Sequence, residues 1–357
     1  MENSNTINLK EVILDWFTSN YESLWDSMEE CKHTHSDGTP NPYHLENSIK
    51  AHTLMVYEEI KSDNPNLLFS ALLHDIGKMD ARYEKNSSRV SFRDHENISM
   101  VKSIDILNKA KEVFDIDVLL VLQIIAWHGM LWTKRGETTD EQCKRINEQF
   151  SFDKEFYPIF LEFVKADSFG RLFADENEEI RVMEEMEFLS NYIPYPANEY
   201  SKHKPQYELI TLVGISGSGK STWLDNHSEY ADYSVVSVDK YLSKGKLDYN
   251  SVNYKKSVKK AHNQTLIDIK EIVAKGSNTV IDMTNLTRET RRKKLSKFPS
   301  TQYKKIAIVF LKGLKEIESN LNKRTEKSIP KDAITKQIKS YELPSYIEFD
   351  EIRYIFY

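Results

Sequence analysis

Between Glu208 and Asp225 the chain reads ELITLVGISGSGKSTWLD, a short apolar run that gives way to glycines and serines and then to Lys220, Ser221 and Thr222. Gly214, Gly219, Lys220 and Ser221 fit the pattern G-x-x-x-x-G-K-[ST], and the strand-like run Leu209 to Val213 supplies the context the pattern needs. Glycines let successive backbone N–H groups turn inward on phosphate oxygens. Gly214, Ser216, Gly217, Ser218, Gly219 and Thr222 are therefore expected to form a phosphate cradle, with Lys220 on the β- and γ-phosphates and Ser221 on Mg²⁺. The chemistry implied is binding of ATP or another nucleoside triphosphate. A second set of residues is of a different type: His52, the adjacent pair His74 and Asp75, and the late Asp167 in FVKADSFGR. Imidazole and carboxylate groups dispersed over a helical region suit a divalent transition metal such as Mn²⁺, Co²⁺ or Ni²⁺ better than Mg²⁺.

These groups need elements to position them. In residues 7 to 30 apolar positions recur among acids at helical spacing, and helices are expected over Glu46–Lys61 with His52, Asn66–Arg82 with His74 and Asp75, Ile98–Phe114, Asp117–Trp127 and Tyr157–Leu189. The N-terminal half thus reads as an all-α bundle. Neighbouring helix residues point about 100° apart, so two buried polar neighbours need a shared partner, and a metal ion supplies one. Cys31, His33 and His35 are of metal-binding type as well, but they lie in a polar loop of a kind that often holds such residues.

The stretch Asn191–Gln206 contains three prolines and no helical period, and is expected to link a domain at 1–190 to one at 207–357. Beyond it the apolar runs Leu209–Val213, Ser234–Val238, Asn278–Met283 and Lys305–Leu311 alternate with helical stretches, which predicts an α/β domain with a parallel sheet. Asp239 closes the second run at the carboxyl edge of that sheet, where a carboxylate can take the proton of an attacking hydroxyl or cap the next turn. Asp282 ends the third run, with Thr284 and Asn285 behind it, and these three are expected on the acceptor substrate or on the water shell of its metal. The segment LNKRTEKSIPKDAITKQI reads as two helices separated by a short lid, from which Arg324 would close on the phosphates.

Length and composition agree with two soluble domains: 357 residues, 39% hydrophobic, mean hydropathy -0.58, and no apolar run of membrane-spanning length. The N-terminus lacks a basic stretch followed by an apolar one, and Cys31 and Cys143 form no C-x-x-C pair, so a reducing, cytoplasmic setting is expected. Charge is divided unevenly. Of 49 basic and 55 acidic residues, 20 and 37 fall in residues 1–199, a balance of -17; the remaining 29 and 18 give +11 in residues 200–357. A basic half carrying a phosphate loop suits a polyanionic substrate, and a lysine-rich solvated surface gives the same count.

The order H…HD…D, with the pieces AHTLMV, ALLHDIGK and ADSFGR, resembles the HD phosphohydrolase superfamily of helical, metal-dependent phosphoesterases over Tyr43–Leu189. That resemblance implies a second ion held with help from His95 and His128, and it brings Lys78 and Arg171 onto the substrate phosphate; His44, eight residues before His52, matches a position where related sequences often carry histidine. Across Leu209–Leu343, GISGSGKST, SVDKYL, DMTNLTRETRR and KRTEKSIPKDAI resemble the P-loop polynucleotide 5'-kinases. This implies Asp239 as base for a 5'-hydroxyl and Arg324 as lid arginine. One departure stands out: that family commonly has an arginine three residues after the base, where this chain has Leu242, and Lys240, Lys244 or Lys246 would have to substitute. Together the two halves are similar to the bifunctional HD-domain polynucleotide kinases, which implies a two-domain enzyme acting on RNA ends, or DNA ends, as 5'-kinase and as 2',3'-phosphatase or cyclic phosphodiesterase. No K-x-D-G motif is present, so sealing would need a separate RNA ligase. Two rival readings remain: a nucleoside or small-molecule kinase fused to an HD nucleotide phosphohydrolase, and a kinase governed by an HD nucleotide sensor.

Overall fold

The structure, a computed structural model, describes residues 8–41, 44–85, 89–150, 155–194, 204–242, 252–323 and 329–356. The chain divides into two compact units, Met1–Pro196 and Ala197–Tyr357.

A segment that is apolar on every face has to lie at the centre of its bundle, and in the N-terminal unit Leu67 to Leu73 is buried throughout. Its neighbours in the chain are α1 (Leu9–Asn20), α2 (Glu22–Glu30), α3 (Ile49–Glu59), α4 (Pro65–Leu73), which carries that segment, and the short α5 (Lys78–Ala81). Pro65 opens α4, and the Asn64 side chain accepts from the Asn66 N–H, so the start of this helix is fixed locally. A small antiparallel pair follows, β1 (Tyr83–Lys85) and β2 (Arg89–Ser91), in a half expected to be wholly helical. The unit is completed by α6 (His95–Ala110), α7 (Val118–Trp127), α8 (Thr139–Phe150), α9 (Phe156–Phe169) and α10 (Glu176–Asn191). Helices α1, α3, α7 and α9 pack around α4.

Two expected helices are broken, each with a glycine in the break where backbones come close. The Asn66–Arg82 helix stops at Leu73, and residues 74–77 turn before α5. A Cβ on Gly77 would stand 2.3 Å from the His95 carbonyl and 2.6 Å from Ser99 N, so α6 can approach only because none is there. The Tyr157–Leu189 helix is split in the same way at Gly170, whose missing Cβ would lie 2.5 Å from Val56 Cα on α3.

In the C-terminal unit five parallel strands form one sheet in the order β4-β5-β3-β6-β7: β3 (Tyr207–Val213), β4 (Ser234–Ser237), β5 (Thr279–Asp282), β6 (Tyr303–Leu311) and β7 (Glu351–Phe356). The connecting helices are α11 (Lys220–Asp225), α12 (Val252–Lys275), α13 (Arg288–Leu295), α14 (Leu314–Asn322) and α15 (Lys331–Lys339). Leu209, Ile210, Leu212 and Val213 of β3 are fully buried, as a strand covered on both faces requires. The chain leaves β3 toward β4 and β5 on one side and later reaches β6 and β7 on the other. The loop after β3 therefore opens at the point where the strand order reverses, the usual ligand crevice of such sheets. Strand β7, half-buried at the edge beside β6, was not among the expected runs. Among the described residues no helix is long and apolar enough to cross a membrane.

Candidate active sites

Three of the N-terminal histidines stand where helices begin or end. His74 follows the last residue of α4, His128 follows the last residue of α7, and His95 opens α6. In each case the ring Nδ1 faces the carbonyl three residues earlier: Ala71 at 2.9 Å, Ile125 at 2.7 Å and Phe92 at 2.8 Å. Carbonyls in a helix's last turn lack an intrahelical partner, which makes those of Ala71 and Ile125 available. His52, within α3, reaches across to Gly170 O at 3.0 Å. A carbonyl can only accept, so each Nδ1 carries a proton and each Nε2 is the nitrogen left to face the interior of the cluster.

All four Nε2 atoms converge on Asp75 and Asp167. His52 Nε2 lies 3.1 Å from Asp167 Oδ1 and 3.7 Å from Asp75 Oδ2; His74 Nε2 lies 3.5 Å and 3.4 Å from the same two atoms. On the other side of Asp75, Oδ1 is 3.1 Å from His95 Nε2 and 4.0 Å from His128 Nε2, while these two nitrogens face each other at 3.3 Å. Lys78 Nζ is 2.7 Å from Asp75 Oδ2. Ion-pair distance is not hydrogen-bond geometry here: among the described residues, His74 Nε2 and both Asp75 oxygens are buried without a hydrogen-bond partner. Burial disfavours charge on Asp75, yet His74 and Lys78 hold its carboxyl well below the usual range; desolvation likewise opposes charge on the half-buried Asp167, and His52 lowers it. Burial likewise opposes charge on His52, and contact with Asp167 and Glu46 outweighs it, raising the imidazole to about 9. Two ionised carboxylates ringed by four inward-facing Nε2 atoms form a donor set for a cation, which would compete with the proton on His52. Ligand groups of suitable closeness are His52, His74 and Asp75 on one side and Asp75, His95 and His128 on the other, with Asp75 shared.

The cleft over this centre is lined by His52, Asp75, His95, His128 and Asp167 together with His44, Lys78, Glu96, Trp132 and Arg171. Arg171 stacks over Phe173 and Trp132 and pairs with Glu178 at 3.6 Å, so the guanidinium is held at the cleft wall. Glu46 was not singled out in the sequence. Its Oε1 accepts from His44 Nδ1 at 2.8 Å and lies 3.3 Å from His52 Nδ1 and 3.7 Å from His33 Nδ1. Cys31 stands apart from this group, its thiol raised by burial, and His35 pairs with Glu84 at 3.5 Å; the loop trio Cys31, His33 and His35 is therefore not one site.

In the C-terminal unit the loop after β3 makes two left-handed turns, at Gly217 (φ 91°) and Gly219 (φ 95°), which side chains other than glycine rarely adopt. Lys220 Nζ donates to Gly214 O at 2.8 Å and Ile215 O at 3.0 Å, so the ammonium is folded into the loop. Ser221 Oγ donates to Asp282 Oδ2 at 3.2 Å, joining the loop to the end of β5. Burial raises Asp282 against the lowering charge of Lys220. That hydroxyl–carboxylate pair is the donor type that holds Mg²⁺ beside a P-loop. The cleft, about 290 Å³, also takes in Ser216, Asp239, Leu242, Thr284, Tyr254, His262 and Gln337. Asp239 is exposed just past β4.

Other expected residues lie differently. Asn285 is buried: its amide donates to Leu212 O at 2.8 Å, and its oxygen accepts from Lys294 Nζ at 2.6 Å. A side chain committed to main chain and lysine inside the domain holds the loop after β5 and does not line the cleft, a correction to its expected place on the substrate. Thr284 does face the cleft, and its carbonyl accepts from Gly214 N–H at 3.0 Å. Ser218 is buried under the loop, and Thr222 is exposed on α11 away from the cleft lining. Lys240 lies over the Tyr241 ring. Arg324, Lys244 and Lys246 lie outside the described residues. Two residues that sequence reasoning passed over touch the loop: Gln337 on α15 accepts from Ser216 N–H at 2.8 Å, and Asn320 on α14 donates to Gly217 O at 2.9 Å.

Two family models match the chain. A family described as HD domain matches residues 45–150, and one described as AAA domain matches residues 209–344. Among solved structures the chain is similar to a gluconokinase from Sinorhizobium meliloti 1021 (18% identity, covering 43% of this chain and 84% of that one, TM-score 0.31). It is similar also to a sugar kinase from Janibacter (19%, 43% and 85%, 0.31) and to a chain of the Pnkp1/Rnl/Hen1 RNA repair complex (22%, 40% and 47%, 0.31). The chain thus carries a helical HD domain followed by a P-loop kinase-like domain with a five-stranded parallel sheet.

Proposed function

We propose that this chain heals RNA ends: residues 207–357 phosphorylate a 5'-hydroxyl with ATP, and residues 1–190 remove phosphate from a 2',3'-cyclic, 2' or 3' end, the two joined by 191–206. The observation that carries the hydrolytic half is the set of four imidazoles that each direct Nδ1–H to a main-chain carbonyl and Nε2 toward Asp75 and Asp167. Carbonyl contacts of this kind fix tautomer and ring orientation in metal ligands.

His52, His74, Asp75 and Asp167 would hold one divalent transition metal, and Asp75, His95 and His128 a second. Such ions acidify bound water and polarise phosphoryl oxygen. The chain's own residues do the rest. Lys78 and Arg171 bring positive charge to the cleft for the substrate phosphate. The main-chain carbonyls keep the Nδ1 protons in place, so no ligand ring turns during turnover.

On the kinase side, Gly217 and Gly219 shape the loop that receives the triphosphate, and Lys220 moves from its two carbonyls to phosphate oxygens. Ser221 and Asp282 would hold Mg²⁺ and its water. Asp239, at the open end of β4, accepts the proton from the acceptor hydroxyl. Arg324 would contribute from the segment between α14 and α15. The basic balance of residues 200–357 favours a polyanionic acceptor. No ligase motif is present, so a separate RNA ligase would consume the product.

A second reading has its own observation: Leu242 lines the cleft where a phosphate-binding arginine is expected, which favours a nucleoside or small alcohol as acceptor. Incubation of purified protein with ATP, Mg²⁺ or Mn²⁺ and an RNA bearing a 5'-hydroxyl and a 2',3'-cyclic phosphate tests the proposal at both ends. Phosphorylation at one end and phosphate loss at the other are expected. Phosphorylation of small alcohols but not of the RNA would favour the second reading, as would acceptor binding indifferent to salt.

A further inference from the structure

We propose that His33, His44 and Glu46 hold a further transition-metal ion beside the HD centre, a site additional to the one or two ions assigned above. The inference does not depend on which reaction that centre performs. One ligand atom from each of the three residues lies within 4.8 Å of the others. His33 is fully buried, and among the described residues neither of its ring nitrogens has a hydrogen-bond partner; Glu46 Oε2, buried as well, also lacks one. A histidine closed off from water with both nitrogens idle is unusual, because buried polar atoms are nearly always paired. Something absent from the protein's own hydrogen-bond network is called for.

The distances fit a cation. Two ligands at about 2.05 Å from a tetrahedral ion stand roughly 3.3 Å apart. Glu46 Oε1 is 2.8 Å from His44 Nδ1 and 3.7 Å from His33 Nδ1, values on either side of that span. The two imidazoles lie face to face, with centroids 4.3 Å apart, and so present their Nδ1 edges to the same carboxylate. Binding requires the Nε2–H tautomer in both rings, with the Nδ1 lone pairs on the ion. Two imidazoles and one carboxylate select Zn²⁺, Mn²⁺, Co²⁺ or Ni²⁺ over Mg²⁺ and Ca²⁺. Because Glu46 Oε1 is also 3.3 Å from His52 Nδ1, and His44 lines the HD cleft, the ion would neighbour the first centre, with Glu46 touching its ligand His52.

Zinc alone is the probe. Full-length protein, stripped of metal and dialysed against Zn²⁺, is analysed for bound ions per chain alongside His33→Gln and His74→Ala, with circular dichroism melting as the check on folding. His33→Gln is expected to bind one ion fewer than wild type and to keep the rest, whereas His74→Ala loses ions from the other centre. Equal zinc content in wild type and a folded His33→Gln overturns the proposal, and loss confined to His74→Ala would do so while leaving the HD reading intact. Should His33→Gln not fold, anomalous diffraction at the zinc edge on the wild-type protein decides the matter: a peak between His33, His44 and Glu46 supports the site, and its absence there in crystals that show zinc at His74 refutes it.

Discussion

Gly170→Ala is expected to disable the HD centre without touching any of its ligands. The added methyl carbon would meet Val56 Cα at 2.5 Å, Val56 N at 2.6 Å and Ala166 O at 2.8 Å, all backbone atoms that no rotamer change can move. Ordinary carbon contacts need about 3.5–4.0 Å, so α3 and α9 must separate by roughly 1 Å. Overpacking on this scale costs about 1–3 kcal/mol, less than the roughly 5–15 kcal/mol of a typical fold, so the protein should still fold. The separation falls on the centre itself. His52 lies one turn before Val56 on α3, and Asp167 lies one turn before Gly170 on α9; they meet at 3.1 Å, and His52 Nδ1 rests on Gly170 O at 3.0 Å. A misplacement of about 1 Å in a catalytic constellation costs on the order of a hundredfold in rate. Phosphate release from an RNA 2',3'-cyclic end in Mn²⁺ should fall by that factor, and bound metal should fall with it, while phosphorylation at the 5' end stays at the wild-type level. Wild-type phosphate release and metal content in a folded Gly170→Ala protein would refute the claim that this helix contact sets the site.

Lys220→Ala should abolish 5'-phosphorylation and spare phosphate removal, as read from both ends of one RNA; parallel loss of both activities would deny that the sites are independent. Arg291→Ala should destabilise the C-terminal unit by about 3–5 kcal/mol in denaturant melts, the scale for breaking a buried pair. Arg291 is 1% exposed, binds Glu348 through two bonds of 2.8 Å and donates to the carbonyls of Asn285, Leu286 and Glu342. Exchange of Mg²⁺ for Mn²⁺, Co²⁺ or Ni²⁺ should raise phosphate removal and leave the kinase dependent on Mg²⁺ or Mn²⁺; Mg²⁺ alone giving the highest phosphate removal would contradict a site of imidazole and carboxylate ligands.

The phosphate loop was legible because its chemistry is local: a run of glycines, a lysine and a strand within eighteen residues need no tertiary knowledge. The alternation of apolar runs with helices likewise gave away the parallel sheet, apart from edge strand β7, whose half-buried residues lack a strong apolar signature. Much of the candidate metal centre is visible as residue types, but its geometry is not. Pattern reading carried one helix through His74 and Asp75, whereas the chain turns over residues 74–77, where Gly77 packs against His95 and Ser99 of α6. Glu46, expected at the start of a helix, lies in the turn before α3, and only the fold sets it against three imidazoles. Asn285 erred in the opposite direction. A polar residue just after a strand end suits a ligand site, and here its left-handed backbone (φ 48°) and bond to Leu212 O turn it into the domain.

If the helical half holds metal and acts on the opposite end of the substrate from the kinase, His74→Ala in the full-length protein separates the two activities. With bound metal and both ends of a 5'-hydroxyl, 2',3'-cyclic phosphate RNA followed in one reaction, His74→Ala should lose metal and phosphate removal and keep 5'-phosphorylation unchanged. Phosphate removal that persists in His74→Ala, or a wild-type protein that binds divalent metal yet releases phosphate from no 2' or 3' end, would contradict this reading.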